Sequence, residues 1–129
     1  MQPVILVVED EANILDPLAY LLERNGLTVE SVADGAAACQ RLEETTPNLI
    51  LLDVMIPNID GFEVLRTVRA KYSSTELPVV MLSAKGQEAD RLKAEALGAN
   101  DFITKPFSND DLIQRVRRQL GEPETAGSA

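Results

Sequence analysis

Four short apolar runs, each ending at polar side chains, constrain the fold of this chain more than any other feature. Runs this continuously hydrophobic, separated by segments of helical periodicity, are typical of parallel strands that are buried on both faces. The carboxyl ends of such strands share one edge of the sheet, and ligands bind along that edge in open α/β sheets. The runs and the residues that end them are Val4–Val8 with Glu9 and Asp10, Leu49–Leu52 with Asp53, Val79–Leu82 with Ser83, and Phe102–Ile103 with Thr104 and Lys105. We therefore expect three carboxylates, a hydroxyl and an ammonium group to converge in one crevice.

Strand and helix patterns alternate five times along the chain, which indicates an α/β fold. Strands are predicted near residues 3–8, 28–32, 48–53, 78–82 and 101–104. Helices are predicted near residues 12–25, 35–45, 61–71, 87–97 and 109–120. The pattern predicts a single flavodoxin-like domain over residues 1–121, with a doubly wound, five-stranded parallel sheet in the order 2-1-3-4-5 and five helices. Residues 122–129 have no apolar face to bury, and they are interpreted as a flexible tail or a truncated linker.

The composition excludes several classes of function. The chain has 129 residues with 21 acidic and 12 basic side chains, and its formal net charge of −9 repels nucleic acid, so we expect no direct nucleic acid binding by this segment. No apolar stretch is long enough to span a membrane and no signal-peptide pattern opens the chain, so we expect no membrane partner. The single cysteine, Cys39, can form no internal disulfide and is interpreted as a small core side chain, which suits a cytoplasmic protein.

Three carboxylates at the predicted strand ends require a compensating cation. Glu9 and Asp10 follow the first strand directly and Asp53 ends the third, and two like charges about 4 Å apart repel by about 4 kcal/mol at an effective dielectric constant of about 20. Lys105 supplies one positive charge, and a divalent ion would supply the rest. Because the chain has no histidine, the ligands are oxygen atoms alone, which favours Mg²⁺ over Ca²⁺ where only a few carboxylates are present. Helix capping is the alternative for Glu9 or Asp10 taken alone.

Asp53 is either a third metal ligand or a nucleophile that attacks phosphorus and forms an aspartyl phosphate. Ser83 and Lys105 favour the nucleophile, because a hydroxyl and an ammonium group would hold two phosphoryl oxygens while Mg²⁺ holds the third. Taken alone, Ser83 would be interpreted as a helix cap and Lys105 as a surface lysine, but their convergence with Asp53 favours a catalytic role. Any histidine in the chemistry must belong to a partner, since this chain has none.

Several motifs resemble, in their order and spacing, those of the receiver domains of two-component response regulators. They are the acidic pair Glu9-Asp10, the segment from Asp53 to Gly61, the pair Ser83-Ala84 and the motif Lys105-Pro106-Phe107. The resemblance covers about residues 3–120 and implies a receiver-like fold. It implies that Asp53 is phosphorylated from the phosphohistidine of a sensor histidine kinase or a histidine phosphotransfer protein. It also implies self-catalysed phosphorylation and slow autodephosphorylation, and not the repeated turnover of an enzyme.

The same resemblance implies a role for each matching position. Asp10, Asp53 and the backbone carbonyl of Met55 would bind Mg²⁺, with Glu9 acting mostly through water. Ser83 and Lys105 would bind the phosphoryl group, and Ser83 would act with Phe102 as a conformational switch. The peptide bond between Lys105 and Pro106 is expected to be cis.

A candidate dimer face follows from the same resemblance. Lys93, Asp101 and Arg115 resemble charged residues that link the fourth helix, the fifth strand and the fifth helix across dimers in one branch of the family. Asn100 stands where an acid is common in that branch. The resemblance thus implies a homodimer that depends on phosphorylation, and a solvated charged face is the alternative interpretation.

Two other functions fit the predicted fold class less well. A metal-dependent phosphatase with an aspartyl nucleophile usually has a second aspartate two residues after the first, and here that position is Met55. A flavin-binding electron carrier needs a phosphate loop rich in serine, threonine and glycine after the first strand, where Glu9, Asp10 and Glu11 would repel the phosphate. The phosphoacceptor switch is therefore the favoured function, and the phosphatase is the alternative.

Overall fold

The computed structural model describes residues 2–84 and 88–121, in which strands and helices alternate as the sequence predicts. The strands are β1 (Val4–Val8), β2 (Thr28–Val32), β3 (Leu49–Asp53), β4 (Val79–Ser83) and β5 (Asp101–Thr104). The helices are α1 (Ala12–Arg24), α2 (Gly35–Glu44), α3 (Gly61–Arg69), α4 (Glu88–Ala96) and α5 (Asn109–Gln119). Each predicted element is present, with its ends within about two residues of the prediction. The predicted tail, residues 122–129, lies outside the described residues.

All strand pairs are parallel, and the order of the sheet is β2-β1-β3-β4-β5, which confirms the predicted topology. The register pairs Asp53 with Leu82 and Ser83 with Thr104. The polar residues at the ends of β3 and β4 and the residues after β5 therefore lie at one edge of the sheet. This edge is where the sequence predicts the site.

The hydrophobic core has two layers, one on each face of the sheet. Alternate residues of each central strand point to opposite faces, so a continuously apolar strand feeds both layers. One layer packs Leu6, Ile50, Leu52 and Met81 against α2, α3 and α4. The other packs Ile5, Val7, Leu51 and Leu82 against α1 and α5. Cys39 is half-buried against the first layer, in agreement with its interpretation as a core side chain.

The helix ends are those that the local sequence predicts. Asp34, Asp60 and Ser108 are N-caps whose side chains accept hydrogen bonds from the third backbone N–H beyond them, at 2.7, 2.9 and 3.0 Å. Substituting such a cap by alanine costs about 1 kcal/mol. Gly26 and Gly98 follow α1 and α4 with φ of +83° and +98°, a conformation in which glycine is the least strained residue. No helix within the described ranges is both long and apolar enough to cross a membrane.

Candidate functional site

A buried ion-pair cluster lies at the carboxyl edge of the sheet, centred on the ammonium group of Lys105. Lys105 Nζ donates hydrogen bonds to Glu9 Oε1 at 3.0 Å and to Asp53 Oδ2. Glu9 is only 1% exposed and Asp53 only 4%. The structure thus brings together three of the predicted site residues, and Lys105 is the compensating cation that the sequence required.

Burial and hydrogen bonding shift the pKa values of Glu9 and Lys105. Burial, followed by the hydrogen bond and charge of Asp53, raises the pKa of Glu9 to about 7, although Lys105 acts in the opposite direction. Burial also acts to lower the pKa of Lys105, but its hydrogen bonds to Asp53 and Glu9 outweigh that effect and the pKa is raised. Lys105 therefore stays charged at neutral pH, while Glu9 is close to its titration midpoint.

Glu9 also holds the start of the first helix. Its Oε2 atom accepts a hydrogen bond from the backbone N–H of Glu11, the N-cap residue of α1, at 3.2 Å, whereas the side chain of Glu11 makes no capping bond. The sequence offered helix capping and a role in the site as alternatives for Glu9. The structure shows both a helix-start contact and a place in the ion-pair cluster.

The loop after β3 folds tightly over the end of that strand. The backbone N–H of Met55 donates to Asp53 Oδ1 at 2.8 Å, and the N–H of Gly61 donates to the carbonyl of Val54 at 3.0 Å. A Cβ atom at position 61 would lie 2.4 Å from the carbonyl oxygen of Asp53, closer than side-chain atoms approach backbone. Glycine is therefore required where α3 begins, and it keeps the loop close to the Asp53 carboxylate.

Ser83 and Lys105 are connected through the backbone. Ser83 is the last residue of β4 and is buried, and its carbonyl accepts a hydrogen bond from the N–H of Lys105 at 2.7 Å. The Lys105-Pro106 peptide bond is cis, as the resemblance implies. The hydroxyl-bearing residue and the ammonium-bearing residue are therefore neighbours at this edge of the sheet, where Lys105 contacts Asp53.

The donor set suits a small, hard cation that keeps some of its water. Within residues 2–84 and 88–121, no three side chains of His, Cys, Asp or Glu form a group that could hold a metal ion by themselves. Asp10 is exposed and lines, with Met55, a cleft of about 630 Å³ above the loop after β3. Mg²⁺ commonly binds one or two carboxylates and completes its shell with water. Asp10, Asp53 and the Met55 carbonyl therefore match the chemistry of such an ion, while Glu9 is engaged with Lys105 and Glu11.

Phe102, the predicted switch residue, is 3% exposed and belongs to the core layer on the α4 side of the sheet. The guanidinium carbon of Arg91, in α4, lies 5.3 Å from the centre of its ring, within the range of a cation–π contact. The buried, core interpretation of Phe102 thus describes the conformation seen here. Its movement as a switch stays a prediction.

The three residues of the predicted dimer face are not all brought together. Arg115 pairs with Asp101 at 3.0 Å and with Asp111 at 3.1 Å within the same chain. Asp101 Oδ1 also accepts the N–H of Phe102 at 2.8 Å, and Arg115 Nη1 lies 3.5 Å from the Phe102 carbonyl oxygen. Lys93 instead lies over the ring of Phe62, 4.5 Å from its centre, on the α3 side of α4.

Arg91 is the residue of this region that the sequence did not single out. Arg91 and Lys93 are two residues apart, which places them on different sides of a helix. Arg91 is three residues before Ala94, the buried residue of α4, and residues spaced by three share a helix face. The spacing from Ala94 is therefore the sequence signal that could have placed Arg91 on the side of α4 that faces Phe102.

A largely apolar groove of about 600 Å³ runs beside the ion-pair cluster, between α1 and the segment that follows β5. Its polar lining residues are Asn13, Lys105 and Asn109. Its apolar lining comes mainly from Ile14, Pro17, Leu18, Leu21, Pro106 and Phe107.

Comparisons with known proteins agree with this fold. The phosphate regulon transcriptional regulatory protein PhoB of Rhizobium meliloti is 41% identical over 120 residues, which cover 93% of this chain and 53% of PhoB. This chain thus spans about half the length of that curated relative. The receiver domain of a Francisella response regulator superposes with a TM-score of 0.86 at 30% identity, over 93% of this chain and 98% of the other.

A further similar structure was solved with a metal ion. It is the receiver domain of a sensor histidine kinase from Pseudomonas aeruginosa, with a magnesium ion coordinated in its active-site cleft. The TM-score is 0.85 at 30% identity, over 95% of this chain and all of the other. Residues 5–117 of this chain match the family described as the response regulator receiver domain. Since that match extends from β1 into α5, the chain belongs to the receiver domains of two-component response regulators.

Proposed function

We propose that this chain is the phosphoacceptor switch of a two-component phosphorelay. Asp53 takes a phosphoryl group from a partner's phosphohistidine in a reaction that depends on Mg²⁺, and the change at the α4-β5-α5 surface then controls an output. The observation that carries the proposal is the contact of Lys105 Nζ with the buried carboxylate of Asp53. A carboxylate beside an ammonium group, with the hydroxyl-bearing residue Ser83 at the same edge of the sheet, suits the transfer of a phosphoryl group.

The proposed transfer needs no general base in this chain. A carboxylate oxygen of Asp53 attacks phosphorus, the bond between phosphorus and the imidazole nitrogen breaks, and the leaving imidazole takes up a proton from solvent. The charge that arrives with the phosphoryl oxygens is stabilised by the Lys105 ammonium and the Ser83 hydroxyl. The attacking carboxylate of Asp53 lies in contact with the Lys105 ammonium.

Mg²⁺ would be held by Asp10, Asp53 and the carbonyl of Met55, with Glu9 acting through water. When bound, it supplies positive charge to the phosphoryl oxygens and offsets the repulsion between the carboxylates. The similar receiver domain that holds magnesium in its cleft supports this assignment.

The proposed donor is a sensor histidine kinase or a histidine phosphotransfer protein in the cytoplasm. The apolar groove beside Lys105 suits the packing of a donor helix whose phosphohistidine reaches Asp53. The formal net charge of −9 supports a role without direct nucleic acid contact by this segment. Self-catalysed phosphorylation by small donors and slow autodephosphorylation follow from a site in which the acceptor, the cation and the hydroxyl belong to one chain.

A turnover measurement separates this function from the alternative, a metal-dependent phosphatase with an aspartyl nucleophile. With excess acetyl phosphate and Mg²⁺, we expect one phosphoryl group per chain and slow loss of that group after the donor is removed. Intact mass spectrometry gives the stoichiometry, and phosphate release gives the turnover. Rapid release of many equivalents of phosphate from ordinary phosphoesters would favour the phosphatase and contradict the switch.

Mg²⁺ is expected to stabilise the folded chain, because it binds the carboxylates at the sheet edge more tightly than it binds the unfolded chain. At a free concentration 100 times its dissociation constant, the gain in unfolding free energy is about 2.7 kcal/mol. Asp10→Asn should lose most of that gain, whereas Asp16→Asn, an exposed position on α1, should keep it. Thermal melts with millimolar Mg²⁺ and with EDTA measure the difference. Superimposed wild-type melts would contradict metal binding.

We also propose that activation leads to a homodimer through α4, β5 and α5. Asp101 and Arg115 pair within one chain here, so the dimer would exchange these partners across a twofold axis. We expect light scattering to detect a monomer that dimerises weakly with a beryllium fluoride mimic of the phosphoryl group. Arg115→Ala should prevent the dimer, and Arg66→Ala, an exposed arginine on α3, should not. Activated wild type that stays monomeric at high micromolar concentration would refute this face.

A further inference from the structure

Arg69, in the last turn of α3, has a set of hydrogen bonds that the phosphoryl site does not explain. Its Nε atom donates to the Gly98 carbonyl at 2.8 Å, Nη1 to the Leu77 carbonyl at 2.8 Å, and Nη2 to Asn100 Oδ1 at 2.7 Å. Nη1 also lies 3.3 Å from the Ser73 carbonyl oxygen and 3.4 Å from that of Tyr72. These contacts join the end of α3, the segment before β4 and the turn after α4.

All these acceptors are neutral oxygens, and within the described residues Arg69 forms no ion pair. Burial lowers the pKa of the Arg69 guanidinium, but an arginine remains charged throughout the ordinary pH range. The planar guanidinium offers five N–H donors in a fixed arrangement, which suits several backbone carbonyls at once. A lysine at this position would offer fewer donors and no planar group. The contacts therefore depend on arginine itself.

The turn after α4 is fixed from several directions. Asn100 Oδ1 accepts the N–H of Val79 at 2.9 Å as well as the Arg69 bond, and Asn100 Nδ2 donates to the Ser74 carbonyl at 3.0 Å. The N–H of Asn100 donates to the Val79 carbonyl at 2.8 Å. A Cβ atom on Gly98 would lie 3.1 Å from Arg69 Nε, so the guanidinium packs directly against this glycine. The carboxyl end of α4 is thus tied to the amino end of β4.

The rest of α4 is packed weakly against the remainder of the domain. Ala94 is its one buried residue among those described, and Leu92 is 55% exposed. The cation–π contacts of Arg91 and Lys93 attach the helix to Phe102 and Phe62. Such contacts contribute about 0.5–1 kcal/mol each where solvent reaches them. The amino end of α4 is the end connected through the chain to Ser83.

We propose that Arg69 makes the carboxyl end of α4 a fixed pivot. When Ser83 binds the phosphoryl group, the amino end of the helix tilts while the turn at Gly98 stays in place. This inference rests on the proposed function, because it concerns how that switch moves. The nine residues of α4 span about 13 Å, so a tilt of about 10° would displace the amino end by about 2 Å and the pivot hardly at all. Arg91 lies near the moving end and would carry the displacement to the Phe102 ring.

Hydrogen exchange tests the pivot in the protein without any phosphoryl mimic. The amides of Leu97, Ala99 and Asn100 have backbone acceptors, and Arg69 holds the turn that contains them. In Arg69→Lys we expect their hydrogen exchange to accelerate about tenfold relative to wild type, since bonds to a charged donor are lost. Arg66→Lys, an exposed arginine on the same helix, is the matched control and should leave exchange unchanged. Unchanged exchange in Arg69→Lys would overturn the pivot.

The distribution of amide chemical-shift changes along α4 distinguishes a pivot at Arg69 from a general contribution of Arg69 to stability. With beryllium fluoride and Mg²⁺, wild-type amide chemical shifts should change most at residues 88–91 and least at residues 97–100. In Arg69→Lys the changes should extend through residues 97–100, an effect that a general loss of stability would not produce. Equal changes along α4 in the wild type, or the same distribution in both proteins, would overturn the proposal. Fluorine NMR reports binding of the mimic separately, so absent binding contradicts the proposed function while the exchange measurement still tests the pivot.

Discussion

Asp53→Asn is expected to abolish phosphorylation by acetyl phosphate or phosphoramidate, with no modified species above background in intact mass spectra. An amide cannot attack phosphorus as a carboxylate does, and the substitution removes the negative charge that faces Lys105 Nζ. The fold should survive, because the change removes one of two neighbouring buried carboxylates and so relieves their repulsion. Wild type under the same conditions should gain one phosphoryl group.

Asp34→Asn is the matched control for this substitution. Asp34 is an N-cap of α2 that lies outside the ion-pair cluster, and asparagine caps helices about as well as aspartate. This variant should be labelled as fully as wild type. If Asp53→Asn were labelled to the wild-type extent, the phosphoryl group would have to be assigned to another residue.

Lys105→Met is expected to lower the unfolding free energy by about 2–4 kcal/mol at pH 8 in EDTA, because removing one partner of a buried ion pair leaves buried charge without compensation. Glu9 and Asp53 would both lose their hydrogen-bond donor. The loss of unfolding free energy should be smaller at lower pH. Lys105 acts to lower the pKa of Glu9, so its removal raises that pKa further, and the folded variant keeps Glu9 protonated at pH values where the wild type has it ionised. The difference in unfolding free energy between the two proteins therefore grows as the pH rises above about 7 and is smaller at pH 6.

Urea denaturation at pH 6 and pH 8 measures both the size of the loss and its pH dependence. Lys71→Met is the control, because Lys71 is an exposed residue whose ammonium lies over the Tyr72 ring at 5.9 Å. Its loss should be less than about 1 kcal/mol at either pH. A Lys105→Met protein as stable as wild type at pH 8 would show that another group compensates Glu9 and Asp53.

The fold could be predicted because its strongest determinants are local. Leu49–Leu52 and Val79–Leu82 are apolar at every position, and only a strand with helices on both faces buries such a run. Asp34, Asp60 and Ser108 marked helix starts through bonds to backbone only three residues away. The convergence of Asp53, Ser83 and Lys105 then follows from topology, because parallel strands end at one edge.

Side-chain partners could not be predicted in the same way. Glu9 and Asp10 are neighbours at a strand end, and alternation sends them in different directions, so that Glu9 is buried against Lys105 while Asp10 is exposed. The sequence treated both as metal-facing residues. Lys93 was grouped with Asp101 and Arg115 because the three resemble residues that link dimers in the family, and its contact with Phe62 within one chain could not be foreseen from that resemblance. Arg69 was missed because its acceptors are backbone carbonyls and one amide oxygen, and a backbone carbonyl is present at every position whatever the residue type.

The contacts of Asp101 and Arg115 with the backbone of Phe102 also affect how two molecules can associate. β5 is an edge strand of the sheet. The unpaired N–H and C=O groups of an edge strand can pair with a strand from another molecule. In this chain the outward N–H of Phe102 is satisfied by Asp101 Oδ1, and its carbonyl lies beside Arg115. A neighbouring molecule therefore meets charged side chains instead of a row of open hydrogen-bonding groups. Continuation of the sheet from one molecule into the next is blocked at this position, which protects the chain from aggregation through β5 and leaves side-chain contacts as the means of association there.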